Sequence, residues 1–189
     1  MSVRLPRLLR RETLLDVPYM RVRQDLLRLP DGSTYPYTYR KAHGSAAVVV
    51  PITADGSAVL VRQYRHPIGR VVVEFPAGAV NPGESPAQAA RRELLEETGY
   101  RAGRLVEIGR FFPQPASASI SMVFYLARNV RKVRAARPER TESLETVLWP
   151  VAELERRARR IRTPSSLFLT GIYFAQPHLG ADRGRGSKV

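Results

Sequence analysis

The segment from Gly78 to Tyr100, GAVNPGESPAQAARRELLEETGY, constrains the fold more than any other stretch of this 189-residue chain. Ser85 is placed to cap a helix, Pro86 suits the first helical position, where no backbone amide is needed, and Gln88 completes a capping box. Gly99 supplies the stop, because a left-handed residue ends a helix at least steric cost when it is glycine. The approach to this helix, Ala77 to Glu84, holds two glycines and a proline and reads as a loop. Short apolar runs stand on either side. Ala46 to Ile52 and Ala58 to Gln63 flank Ala54-Asp55-Gly56 and predict a hairpin with one buried arm, and Val71 to Phe75 reads as a third strand ended by Pro76. Leu105 to Phe112, Ile120 to Ala127 and Thr146 to Trp149 follow as strands, then helices over Val151 to Arg162 and Pro164 to Gln176. Helices and strands alternate without βαβ regularity, so the expected class is α/β or α+β with a mixed sheet.

Upstream, Met20 to Leu29 and Ser33 to Lys41 flank Pro30-Asp31-Gly32 and predict an antiparallel pair within residues 17 to 41. Tyr35, Tyr37 and Tyr39 recur at period two, which places three rings on one face of the second arm. A half-buried sheet surface accounts for them, and so does a ligand or a partner subunit. The hairpin is too small to bury an apolar face alone, so a homodimer is expected. The length fits one domain with a small appended element.

Composition narrows the function. The absence of cysteine excludes disulfides and thiol chemistry, and His43, His66 and His178 are too widely spaced for a local histidine site, so any metal is held by oxygen. The longest apolar run, Ala46 to Ile52, falls far short of the ~20 residues of a spanning helix. The N-terminus, MSVRLPRLLRRE, lacks the continuous apolar core of a secretory signal, and a cytoplasmic protein is expected. The net charge is +14, yet 28 of the 31 cations are arginine, a bias that genome composition produces without any binding role. Nucleic acid is therefore not an expected partner. The dense run Arg156 to Arg162 reads as a solvated helix face, and Gly180 to Val189 as a frayed basic tail.

Within the predicted helix Glu93, Glu96 and Glu97 fall inside an arc of roughly 100°. Three carboxylates so placed repel one another unless cations neutralise them. Arg92 offsets part of that repulsion; a divalent ion does so better, and an all-oxygen donor set favours Mg²⁺ or Mn²⁺. A solvated acidic surface would account for the three glutamates alone, but the surrounding spacing decides. Gly78, Glu84, Arg92, Glu93, Leu94, Glu96, Glu97, Gly99 and Tyr100 fit Gly-x5-Glu-x7-Arg-Glu-U-x-Glu-Glu-x-Gly-U, with U apolar or aromatic, a match whose chance probability is on the order of 10⁻⁷. This stretch resembles the Nudix box of the Nudix hydrolases, with every defining position present.

The resemblance implies an α/β/α sandwich with a mixed sheet and hydrolysis of a nucleoside diphosphate linked to another moiety. It implies a divalent ion held by Glu93, Glu96 and Glu97, with the Ala77 carbonyl as a neutral oxygen ligand. Val61-Arg62-Gln63-Tyr64-Arg65, Glu74-Phe75-Pro76-Ala77-Gly78 and Phe111-Phe112-Pro113-Gln114-Pro115 look like the ADP-ribose pyrophosphatase branch. That implies an N-terminal element over 1–43 exchanged between two subunits, a hydrolase domain over 44–178, and the tail 179–189. Tyr37 becomes a candidate for the adenine, Pro115 a further substrate-binding candidate, and Arg65 and Arg40 candidates for the phosphates through bidentate hydrogen bonds. Where the branch has Ser-Pro-Gly followed by an acid, this chain reads Gln114-Pro115-Ala116-Ser117-Ala118-Ser119, a departure that bears on the sugar rather than on pyrophosphate hydrolysis. The branch takes its base from a later loop, which selects Glu142, with Glu145 or the box residue Glu97 as alternatives. Other Nudix substrates (a dinucleoside polyphosphate, NADH or RNA) and a non-catalytic regulator are the competing functions.

Overall fold

The computed structural model describes residues 2–18, 20–42, 44–138 and 142–179. The basic tail expected over 179–189 thus lies outside the described residues apart from Leu179, as does His43. The chain divides into two compact units, Met1–Ser45 with Phe112–Ser121, and Ala46–Phe111 with Met122–Val189.

The first unit is a three-stranded antiparallel sheet in the order β1-β2-β3, with β1 Arg7–Val17, β2 Met20–Arg28 and β3 Thr34–Arg40. The predicted hairpin is β2 and β3, turning at Gly32 with φ 88°. Strand β1 is an addition to it. Its leucines come as neighbours, Leu8-Leu9 and Leu14-Leu15, instead of alternating, and register shifts at Leu8/Arg10 and Thr13/Leu15 reconcile them with β2. Arg11 grips the buried Asp25 with two hydrogen bonds of 2.8 and 2.7 Å across this pair, and holds that carboxyl below its ordinary range. Segment 112–121 is stitched to the end of β3: the Arg40 amide donates to the Ser117 carbonyl, and the Arg40 carbonyl accepts from the Ser119 amide.

The second unit is a mixed sheet ordered β11-β5-β4-β10-β8. Its strands are β4 Ala46–Thr53, β5 Ser57–Arg65, β6 Arg70–Glu74, β7 Ala77–Ala79, β8 Tyr100–Arg101, β9 Leu105–Phe111, β10 Met122–Lys132 and β11 Leu144–Pro150. The central β4 lies parallel to β10, and the other pairs are antiparallel. Strands β4 and β5 join only at Ile52 and Ala58, then diverge. Strand β6 takes the freed edge of β5, and β7 takes that of β4. The sheet thus forks on the side that carries the candidate site.

Helix α1, Pro86–Thr98, begins at the predicted capping box and ends at Gly99 with φ 75°. Its Ala89, Ala90 and Leu94 pack on one sheet face with Val49, Val59 and Val123. On the other face Phe75, Phe124 and Leu60 meet Leu154 of α2, Leu154–Ala158, and Phe168 of α3, Ser166–Leu179. Three elements differ from expectation. Ala77–Ala79 is a strand because β4 offers it an unpaired edge. Strand β10 runs to Lys132, a bulge at Asn129 re-aiming its last turn of chain. The helix expected over 151–162 shrinks to a 3₁₀ turn at Val151–Glu153 and α2. No helix among the described residues is long and apolar enough to cross a membrane.

Candidate active site

The site grows from the junction of β7 and α1. The Arg92 guanidinium donates to Glu84 through Nε and Nη2 at 3.0 Å each, to Glu93 Oε1 at 2.6 Å, to Glu96 Oε2 at 3.2 Å, and to the Ala79 carbonyl at 2.9 Å. A single arginine thus ties the loop, β7 and three carboxylates together. Glu84 also accepts from the Asn81 amide at 3.0 Å, which closes the loop in front of the helix, and its carboxyl lies below the usual glutamate range chiefly because of Arg92. Gly78 matters through space rather than φ: a Cβ there would displace the Glu93 carboxylate from its present place.

Glu97 is 1% exposed and accepts a hydrogen bond from the Ala77 amide at 3.3 Å. Burial, then the charges of Glu93 and Glu142, push its carboxyl up to about 9. Glu93 is raised as well, by burial first, with Arg92 opposing the shift. Among the described residues no three acidic or histidine side chains converge as a ready cation cage, since Arg92 occupies Glu93 and Glu96. The donor chemistry nevertheless suits a hard divalent ion: carboxylates held close together, one of them buried beside like charges, and a backbone stripped of its Cβ at Gly78.

Other predicted residues take the following places. Glu142 lies close enough to act electrostatically on both Glu93 and Glu97. Glu145 pairs with Arg62 at 3.2 Å, one cross-strand position along from the Gln63–Leu144 pair and therefore on the opposite face of the sheet from Gln63. Arg65 interacts electrostatically with Glu97, and its guanidinium holds Glu74 at 2.7 Å. Glu74, 5% exposed, is a buried partner of Arg65 to which its sequence stretch assigned no individual role; a lone acid in Val71-Val72-Val73-Glu74-Phe75 is its signal.

In the first unit Tyr37 and Pro115 line one cavity of about 310 Å³ together with Asp25, Leu27, Tyr39 and Ala118. The Tyr37 hydroxyl donates to the Ala116 carbonyl. The Tyr37 ring lies 6.2 Å from that of Tyr35 and 6.4 Å from that of Tyr39, so the period-two rings form one aromatic row. Arg40 belongs to the same unit, where its backbone is tied to Ser117 and Ser119.

A family model described as NUDIX domain matches residues 42–168. The ADP-ribose pyrophosphatase of Mycobacterium tuberculosis is 32% identical over 176 residues, covering 88% of this chain and 84% of that protein. A Bacillus subtilis ADP-ribose pyrophosphatase is 38% identical over 104 residues, and that match spans 55% of this chain and 56% of the relative. The crystal structure of an ADP compounds hydrolase superposes with a TM-score of 0.86 at 25% identity, covering 98% of this chain and 99% of the other. A complete loop–helix carboxylate motif, a fold shared along nearly the whole chain, and a family match that contains the whole motif lead to one assignment: the chain belongs to the Nudix hydrolase family.

Proposed function

We propose that the chain hydrolyses the pyrophosphate bond of ADP-ribose or a related nucleoside diphosphate sugar in a reaction that depends on Mg²⁺ or Mn²⁺. Water attacks one phosphorus, the bridging P–O bond breaks, and a nucleoside monophosphate and a sugar phosphate leave. The observation that carries this reading is Glu97, buried beside Glu93 and within the field of Glu142, an arrangement that disfavours the carboxylate forms until a cation neutralises them. Relatives described as ADP-ribose pyrophosphatases support the substrate class.

Glu93, Glu96, Glu97 and the Ala77 carbonyl would hold the ion, whose chemistry is to neutralise the pyrophosphate and lower the pKa of water. Arg92 keeps Glu93 and Glu96 oriented, and Gly78 lets the chain pass beneath them. Arg65, braced by Glu74, has donors left to bind phosphate oxygen, and Arg40 is a second candidate. Glu142 accepts the proton of the attacking water, being outside the set of residues that would hold the ion. The cavity of Tyr37 and Pro115 receives the base. A homodimer and a cytoplasmic setting belong to the same proposal; exposed Leu8, Leu14, Leu15 and Val17 on β1 support the former.

The test is a substrate panel. Purified protein with Mg²⁺ or Mn²⁺ is offered ADP-ribose, other nucleoside diphosphate sugars, dinucleoside polyphosphates and NADH. The proposal predicts fastest release of a nucleoside monophosphate from a diphosphate sugar. Preference for a dinucleoside polyphosphate or NADH would move the assignment to another Nudix activity, and inertness toward all of them would favour a non-catalytic role.

A further inference from the structure

Strand β5 buries one polar side chain that packing alone does not call for. Gln63 is 4% exposed, and its Oε1 is buried with no hydrogen-bond partner in the protein. Among the described residues the other buried side-chain atoms left unpaired are the Nε donors of Arg21, Arg23 and Arg134, so Gln63 supplies the one orphaned acceptor. An unpaired buried acceptor lowers stability in a way that an apolar side chain of the same length would not.

The place of Gln63 in the sheet connects it to the candidate site. Alternate residues of a strand share a face, so Gln63 stands with Val59, Val61 and Arg65 on the side where Val59 packs with Ala89, Ala90 and Leu94 of α1. Across the sheet it faces Val72 of β6 and Leu144 of β11. On the β6 side, Arg65 pairs in register with Arg70 and Glu74 with Val61, so the Arg65–Glu74 bridge of 2.7 Å runs past the Gln63–Val72 pair. On the β11 side, the Tyr64 amide donates to the Ser143 carbonyl at 3.2 Å, which continues the ladder beyond Leu144 and brings Glu142 beside Arg65. Glu142 acts electrostatically on Glu93 and Glu97 and therefore lies on the α1 side as well. Gln63 is thus bordered by the arginine proposed for phosphate, by its brace and by the proposed base.

The donor that Gln63 Oε1 lacks is one the protein does not supply. An ionised phosphate accepts hydrogen bonds and has none to donate, whereas water has two. We propose that Gln63 orients the attacking water: one O–H donates to Gln63 Oε1, the other gives its proton to Glu142, and the oxygen lone pair is left directed at phosphorus. The new O–P bond forms as the bridging P–O bond breaks, the leaving phosphate keeps that electron pair, and Gln63 exchanges no proton. This inference rests on the hydrolytic reading with Glu142 as base.

Steady-state hydrolysis of ADP-ribose with Mg²⁺ by the full chain carrying Gln63→Met, Glu142→Gln or both tests it. Methionine keeps the length of the side chain and removes the acceptor. The kcat of Gln63→Met is expected to fall about tenfold to a hundredfold, with KM and the Mg²⁺ concentration for half activation within about twofold of the parent. Its melting temperature should not fall, because the fold loses an unpaired acceptor and no hydrogen bond. Since both residues act on one water, the double variant should be hardly slower than Glu142→Gln. A Gln63→Met enzyme as fast as its parent, or a slowing that multiplies in the double variant, would overturn the proposal and leave Glu142 as base. A changed Mg²⁺ requirement at unchanged kcat would make Gln63 an ion ligand, and a lowered melting temperature would make it a structural residue; either result overturns the proposal. Glu142→Gln as active as its parent, or a parent chain inert toward ADP-ribose, is a different failure, which removes the reading beneath the proposal and the proposal with it.

Discussion

In the metal-free protein Glu97 should make stability fall as pH rises. Its carboxyl stands at about 9 in the folded chain, against an ordinary glutamate value of 4.5, because folding buries it beside Glu93 and Glu142. A group raised by folding contributes stability that is complete below its unfolded value and is lost as pH climbs through the folded one. Across that window the loss is about 1.4 kcal/mol per pH unit, so from about pH 7 to about pH 8.5 it comes to about 2 kcal/mol once partial ionisation near the top is included. For a domain of this size that is a fall in melting temperature of about 4–8 °C. Glu97→Gln keeps an acceptor for the Ala77 amide and removes the titration, so its melting temperature should be nearly level over the same range and higher than that of the parent chain at the alkaline end. Thermal unfolding of both proteins in chelator checks this directly. An identical pH slope in the two proteins would refute the reasoning, because it would mean that Glu97 does not carry the buried charge.

Three further outcomes follow from named contacts. Gly78→Ala places a Cβ against the end of the Glu93 side chain, which must swing aside, so it should cost no more than about 1 kcal/mol on thermal unfolding while displacing Glu93, with turnover falling more than stability. Glu142→Gln should lower kcat by orders of magnitude while metal affinity stays near that of the parent, and Glu145→Gln, whose partner is Arg62 on the other sheet face, should leave kcat within about twofold. Sedimentation at micromolar concentration should give a dimer through the three-stranded sheet, and a monomer at that concentration would remove the exchange of N-terminal elements from the account.

Helix α1 was legible to the residue because its signals are local: Ser85, Pro86, Gln88 and Gly99 act within a few residues of one another. The same holds for the hairpin turn at Gly32 and for the motif that selected Glu93, Glu96 and Glu97. What escaped depends on partners distant in the chain. Strand β1 has no alternating pattern and becomes a strand only through bulged pairing with β2. Ala77–Ala79 is too short and glycine-bearing to announce a strand, and its pairing depends on the edge that β5 gives up to it. The brace of Arg65 on Glu74 spans the β5–β6 hairpin, and neither residue's own neighbours announce it. Segment 112–121 falls inside the stretch 44–178 expected as one hydrolase domain, yet its hydrogen bonds go to the end of β3, which no local pattern in Phe112-Pro113-Gln114-Pro115 encodes.

The carboxylates of α1 are proposed to form a cation-dependent pyrophosphate-cleaving centre. The most direct test is turnover of ADP-ribose by the chelated protein, before and after Mg²⁺ is restored, in the parent chain and in Glu93→Gln. The account predicts no turnover in chelator, recovery with Mg²⁺ in the parent, and a fall of orders of magnitude in Glu93→Gln with an unchanged fold by circular dichroism. Turnover that persists in chelator, or a Glu93→Gln variant as active as its parent, would contradict it.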